Sequence, residues 1–208
     1  MSRRIRARRW GTDDRGTALI EAAFIFPVII IIVFGVVEVG FLFRSGALTS
    51  SATRAGARVA SANYAPTMTA SNIPAAQDIV ADQVASAVTA ELLNRGTTDT
   101  PTVLWMYKVN PGDTTAMPPS GNLNSCGSPN CYTFTWSSGS NAFVRDGSSP
   151  GWSQPDACGV TLDSVGVLLK VTHTPIVSPT SLSVRTITER TTMRLEPRTG
   201  CLTAEGPT

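Results

Sequence analysis

Residues 15–43 read RGTALIEAAFIFPVIIIIVFGVVEVGFLF, and the reading of this stretch decides the fold. From Ala22 to Val37 it carries no charge, and past Glu38 it stays apolar to Phe43. A bilayer core needs about 20 apolar residues of helix to be crossed, and this run supplies them. It is apolar all round rather than along one stripe, so it does not read as the surface helix of a soluble domain. Two features make it more than an anchor. Gly16 stands immediately before the run, and a carboxylate, Glu21, stands just inside its start. A carboxylate in lipid costs about 2.5–3.5 kcal/mol on insertion scales, so it normally has a partner or a task. The plainer alternative places Glu21 at the headgroup boundary, reaching back into water.

The charge pattern on either side gives an orientation. The formal net charge of +2 conceals an asymmetry: Arg3, Arg4, Arg6, Arg8, Arg9 and Arg15 precede the run, and only Arg44, Arg54 and Arg58 follow in the comparable window. Basic residues flanking a span stay on the cytoplasmic side. Residues 1–16 therefore read as a basic cytoplasmic leader and residues 17–43 as a single transmembrane helix in a cell membrane. Everything beyond is expected outside the cytoplasm.

The helix is expected to outlast the bilayer. Leu48, Ala52, Ala55, Val59 and Ala62 recur at spacings of four and three, the signature of a helical stripe. No proline interrupts before Pro66. A helix from Thr17 to about Asn63 would be about 70 Å long at ~1.5 Å per residue, with residues 44–63 as its extracytoplasmic continuation. Two helices broken at Gly40 or Gly46 are the competing reading. Pro27, inside the span, removes a backbone donor and is expected to kink the helix. It reads either as a bend used in assembly or as an ordinary membrane proline.

Residues 64–208 are expected to form an exported α+β domain. Pro74 and Gly96 bracket a second helix that ends at Asn94, with Ala76, Val80, Val84, Ala87, Val88 and Leu92 as its apolar stripe. From Thr102 the period changes to two. Val103, Trp105, Tyr107 and Val109 alternate with their neighbours, as do Tyr132, Phe134 and Trp136, and Val165, Val167, Leu169 and Val171. A last strand reads from Leu182 to Leu195, with a bulge near Arg185 to explain a switch of inward face. The predicted architecture is a long N-terminal transmembrane helix continuing into a domain whose second helix packs on an antiparallel sheet of about four strands.

All four cysteines, Cys126, Cys131, Cys158 and Cys201, fall in the exported part. An even set in an oxidising compartment reads as two disulfides. The sequence does not choose among the three pairings; the expected one joins Cys126 to Cys131 across a local turn and Cys158 to Cys201. A zinc site with His173 is the weaker alternative, because C-x4-C is not a knuckle spacing and the other members are scattered.

The order Gly16-Thr17-Ala18-Leu19-Ile20-Glu21 resembles the processing site of type IV pilin-like proteins. Continued by Glu21-Ala22-Ala23-Phe24-Ile25-Phe26-Pro27, a β-branched run, Phe34-Gly35 and Glu38-Val39-Gly40, the stretch from about 15 to 60 resembles the TadE-like family, minor pilin-like components of tight-adherence (Tad) pilus systems. The resemblance implies that a prepilin peptidase cuts between Gly16 and Thr17, leaving Glu21 fifth in the mature chain. It further implies that Glu21 docks subunits by neutralising the new Thr17 amine of a neighbour. Burying two paired charges costs far less than burying either alone. Thr17 stands where type IV pilins commonly have phenylalanine, and Ala22 where major Tad pilins have tyrosine; both separate this chain from the major pilins.

Nothing in the sequence suggests an enzyme or a cofactor. The lone histidine, His173, has no nucleophile motif beside it, and there is no G-x-S-x-G, H-E-x-x-H or phosphate-binding glycine loop. Trp105, Trp136 and Trp152 read as core or loop anchors, and Glu38 faces headgroups or pairs with Arg44. No basic, aromatic-interleaved surface suggests nucleic acid outside the leader. The expected function is that of a minor pilin-like structural component, with membrane lipid and other pilins as partners. The alternatives are a signal-anchored extracellular binding domain, or a protein secreted after cleavage at Ala47, for which Ser45-Gly46-Ala47 offers small residues.

Overall fold

A computed structural model describes residues 15–64, 73–94, 99–109, 113, 115–127, 130–147, 162–175 and 184–197. The chain divides into two compact units, Met1–Phe41 and Leu42–Thr208. Helix α1, Arg15–Tyr64, runs from the first into the second without interruption, so neither Gly40 nor Gly46 breaks it.

In the first unit the helix is naked. Every large apolar side chain from Leu19 to Phe34 is at least 46% exposed, and Phe24 reaches 75%. Among the described residues no protein surface covers this belt, and the helix is long and apolar enough to cross a bilayer. Pro27 lies within it. Its missing N–H leaves the carbonyl one turn earlier, that of Ala23, without its usual helical donor. Glu38 interrupts the pattern: it is 6% exposed between Val37 and Val39, which are 46% and 50% exposed.

The second unit is a layered α+β structure. Helix α2, Ile73–Asn94, is followed by strands β1 (Thr100–Val109), β2 (Cys131–Ser137), β3 (Ala142–Arg145), β4 (Ser164–His173) and β5 (Arg185–Arg194). They form one antiparallel sheet in the order β3-β2-β1-β4-β5. Period-two alternation sends Leu104, Met106, Tyr132, Phe134, Val167 and Leu169 to one face. There they meet Ala52, Ala57, Ala60 and Tyr64 of α1 and Val80, Val84, Val88 and Leu92 of α2. The opposite face buries Trp105, Tyr107 and Leu168 beneath the segment carrying Cys126.

The buried stripe of α1 is rotated from the one expected. Leu48, Ala55, Val59 and Ala62 are only half-buried, whereas Ser45, Thr49, Ala52, Thr53, Gly56, Ala57 and Ala60 face inward. Hydroxyls occupy the interior because they are satisfied on the spot. Thr49 Oγ1 donates to Ser45 O (2.7 Å), and Thr53 Oγ1 donates to Ser50 O (2.9 Å). Small residues also bring the helix close to its neighbours. A methyl group added at Gly56 would lie 2.7 Å from Val88 Cγ2 and 3.3 Å from Val84 Cγ1. On the sheet side, Thr53 and Thr191 share a hydrogen bond of 3.0 Å, and Ser61 Oγ donates to Arg194 O at 2.5 Å.

Two expectations about the strands need correction. The sheet, expected with about four strands, has five, because Ala142–Arg145 pairs with β2. No bulge lies near Arg185: β5 pairs with β4 in unbroken register from Ser164↔Arg194 to His173↔Arg185, and Val184 lies before the strand and is 59% exposed. Leu182, the other residue behind the supposed switch, lies outside the described residues. The register shift falls in β1, between Pro101 and Val103. Pro101 has no N–H to give the ladder, and at the shift Thr102 Oγ1 donates to Lys170 O (3.0 Å).

Candidate functional site

Gly16, Thr17 and Glu21 all lie in the first two turns of α1 and are exposed. Thr17 and Glu21 stand four residues apart and so share a helical face. The Gly16–Thr17 bond sits in the first turn, where backbone N–H groups lack intrahelical acceptors. A side chain built at Gly16 would touch nothing within 4 Å. Glu21 has no hydrogen bond or ion pair among the described residues, and Leu19, Ile20, Phe24 and Ile25 around it are more than half exposed. A carboxylate thus stands on an uncovered apolar surface with room for a cationic partner beside it. The basic leader lies outside the described residues.

The family comparison falls on this segment. The model described as TadE-like protein matches residues 16–58. Over this stretch the chain is similar to TadE-like proteins. The TadE-like match begins at Gly16 and covers the apolar helix together with the first sixteen residues beyond Leu42, including Arg54 and Arg58. No curated protein and no solved structure matches the chain.

The second unit also contains a buried polar cluster whose members are far apart in sequence. Asp99, just before β1, receives the hydroxyl of Ser45 on Oδ2, and its Oδ1 lies 2.7 Å from His173 Nδ1. The side chains of His173 and Asp99 are 4% and 3% exposed. The three residue types are those of a hydrolase triad, but the order is different. The carboxylate sits in the middle and accepts the serine's hydrogen bond directly, whereas in such a triad the imidazole faces the hydroxyl. The cluster fastens α1 to the ends of β1 and β4. Only a fold that joins positions 45, 99 and 173 reveals it; a lone histidine at a strand end was the single hint.

Three further polar contacts brace the second unit. Lys108 Nζ lies 2.8 Å from Asp163 Oδ2, and Tyr132 donates to Asp78, which also meets Arg145 at 2.9 Å. Burial, reinforced by Tyr132 and Asp163, pushes the Tyr64 phenol up.

On the opposite sheet face, Cys126 and Cys131 form a disulfide with Cα atoms 5.9 Å apart. On the same face, ahead of the bridge, Tyr107 Oη donates to Ala116 O (3.0 Å). Gly127, at φ +80°, permits a turn in which any side chain would strike Ser120 N at 2.8 Å. Lys170 lies 4.7 Å from the centre of the buried Trp105 ring, and Trp136 packs edge-on to Phe143 at 5.1 Å. Cys158, Cys201 and Trp152 lie outside the described residues, and so does the pairing expected for Cys158 and Cys201. Among the described residues no cluster of three His, Cys, Asp or Glu side chains could hold a metal ion.

Proposed function

We propose that this protein is a minor pilin-like structural component of a Tad-type pilus, acting by assembly rather than catalysis. The observation that carries the reading is the TadE-like match over an uncovered apolar helix with a carboxylate near its start. In this reading a prepilin peptidase releases the leader between Gly16 and Thr17. The helix stays in the cell membrane with the α+β unit outside. When a neighbouring subunit docks, its Thr17 amine meets Glu21 and the two charges leave contact with water together, which costs far less than burying either alone. The bend expected at Pro27 would accommodate the helix in the bundle. The disulfide-closed loop favours an oxidising location for the second unit.

Secretion after Ala47 is disfavoured, because Ser45-Gly46-Ala47 lies inside α1 and Ser45 is tied to Asp99. N-terminal sequencing of the membrane-bound protein separates the readings. A start at Thr17 is expected; an intact Met1 would indicate a plain signal anchor, and a start at Leu48 a secreted protein. The docking role is tested by Glu21→Gln, which keeps shape and removes charge. Membrane insertion should be unchanged, and recovery in sheared pili should fall at least about tenfold. Normal recovery in pili would remove Glu21 from the docking role.

A further inference from the structure

We propose that the groove beside Arg54 and Arg58 is a docking site for a carboxylate-bearing helix of a different subunit of the same assembly. The inference rests on the assembly role proposed above and assigns a second contact, remote from Glu21.

The groove lies between α1 and α2 and encloses about 600 Å³. Ala47, Ser51, Arg54, Ala55 and Arg58 line it from α1, and Glu91 from α2. Arg54 and Arg58 are exposed and one helical turn apart. Like charges at this spacing repel, so the pair is unfavourable until something neutralises it. Neither arginine has a hydrogen bond or ion pair among the described residues. The one carboxylate on the rim, Glu91, accepts a hydrogen bond of 2.7 Å from Ser51.

The shape selects the occupant. From Ala47 to Arg58 the groove follows α1 for about 16 Å, three turns, at ~1.5 Å per residue. That length suits a helix better than a small ion. Alanine and serine along the wall let another backbone come close. A phospholipid headgroup does not fit the position. Arg54 lies about 16 Å along the helix beyond Phe43, where the apolar run ends, and the headgroup layer is only about 5–8 Å deep on each side. A planar fork such as arginine suits a carboxylate, which it grips in bidentate fashion.

A second copy of the chain lacks the complement. The stretch of α1 from Leu42 to Tyr64 has no acidic residue. On α2, Asp78 and Asp82 are held by Arg145 at 2.9 and 3.8 Å, and Glu91 by Ser51. The acidic helix must therefore come from another polypeptide. The TadE-like match agrees in extent: it does not stop with the apolar run but continues fifteen residues beyond Phe43, to Arg58, and so includes the whole α1 wall of this groove and none of α2.

The test is photocrosslinking in pilus-producing cells, with the full-length membrane protein carrying benzoylphenylalanine at Ala47. The expected adduct joins the protein to a different membrane-anchored subunit that is also present in sheared pili, through a peptide containing Asp or Glu. In Arg54→Glu/Arg58→Glu the adduct should fall at least about tenfold, since like charges now face each other. Arg54→Lys/Arg58→Lys should retain most of it. Unchanged protein level and protease resistance in the Glu/Glu variant exclude misfolding as the cause. An adduct with phospholipid, an adduct with a second copy, or a yield indifferent to charge reversal overturns the proposal. If the protein is present in pili and the adduct ignores charge reversal, only this docking site is lost. If the protein is absent from pili, the assembly role falls and takes the docking site with it.

Discussion

His173 Nδ1 and Asp99 Oδ1 lie 2.7 Å apart in a site where both side chains are at least 96% shielded, although 74 residues separate them in sequence. The pair, with Ser45 as third member, fastens α1 to the sheet two residues after the apolar run ends at Phe43. Removing one partner of such a pair strips the other of part of its compensation, at a cost of up to about 3–5 kcal/mol. His173→Ala should lower the stability of the detergent-solubilised full-length protein by that order. Ser45→Ala deletes one hydrogen bond to the carboxylate and should cost less, about 1.5–3 kcal/mol. Urea unfolding followed by circular dichroism gives both values. Equal effects for the two variants would mean that the histidine contributes only shape.

Gly56 sets the distance between α1 and α2. In Gly56→Ala the new methyl would meet Val88 Cγ2 at 2.7 Å, and the neighbouring Val84 leaves little room to yield. Overpacking of this kind costs about 1–3 kcal/mol. Gly56→Ala/Val88→Ala should be less damaging than the sum of the two single changes, because the second relieves the clash made by the first. Thermal unfolding of the four proteins measures the coupling, and simple additivity would show that the helices do not meet at this point.

Alkaline stability should depend on Tyr107. Burial pushes its phenol up to about 12 from the ordinary 10.0, although Arg190 pulls it down slightly. Below the unfolded value both states keep the proton, and the contribution is fully present. Between 10.0 and about 12 the unfolded chain loses its proton first. The folded state then binds more protons, so stability falls as pH rises. Tyr64 is shifted in the same direction. Tyr107→Phe should flatten the decline without abolishing it. Urea midpoints across this range provide the check, and an identical slope in the variant would contradict the assignment.

The Cys126–Cys131 bridge closes a very short loop, for which the chain-entropy relation gives about 2 kcal/mol. Cys126→Ser/Cys131→Ser should lose about that much. It should also loosen the cover over Trp105, which is now 6% exposed. A red shift in tryptophan emission before global unfolding is the expected sign. Unchanged emission and stability would show that the cover over Trp105 does not depend on the bridge.

Much of this fold could be read directly. The apolar run from Ala22 to Val37, the punctuation of α2 by Pro74 and the alternation in β1, β2 and β4 are strong periodic signals, and the elements lie where they point. The misreadings have physical causes. Strand β3 is four residues long between turn residues, too short to display a period. In β5 threonines alternate with charges at a sheet edge, so no apolar face announces its register. The inward stripe of α1 was misjudged because Ser45, Thr49 and Thr53 look polar, although two of these hydroxyls bond to carbonyls of their own helix and the third to Asp99. The Ser45–Asp99–His173 cluster has no local signature at all. The Gly16, Thr17 and Glu21 grouping is a local pattern confined to six residues, so its spacing needs no fold to be noticed.

Strand β5 has a last consequence. It runs ten residues in unbroken register along the margin of the sheet, and among the described residues only β4 pairs with it. A straight margin of that length is a template on which a neighbouring molecule's strand could add, the first step towards fibrillar clumping. Arg185, Arg190 and Arg194 are exposed along it. When two such margins approach, these guanidinium groups repel one another, which works against joining sheet to sheet.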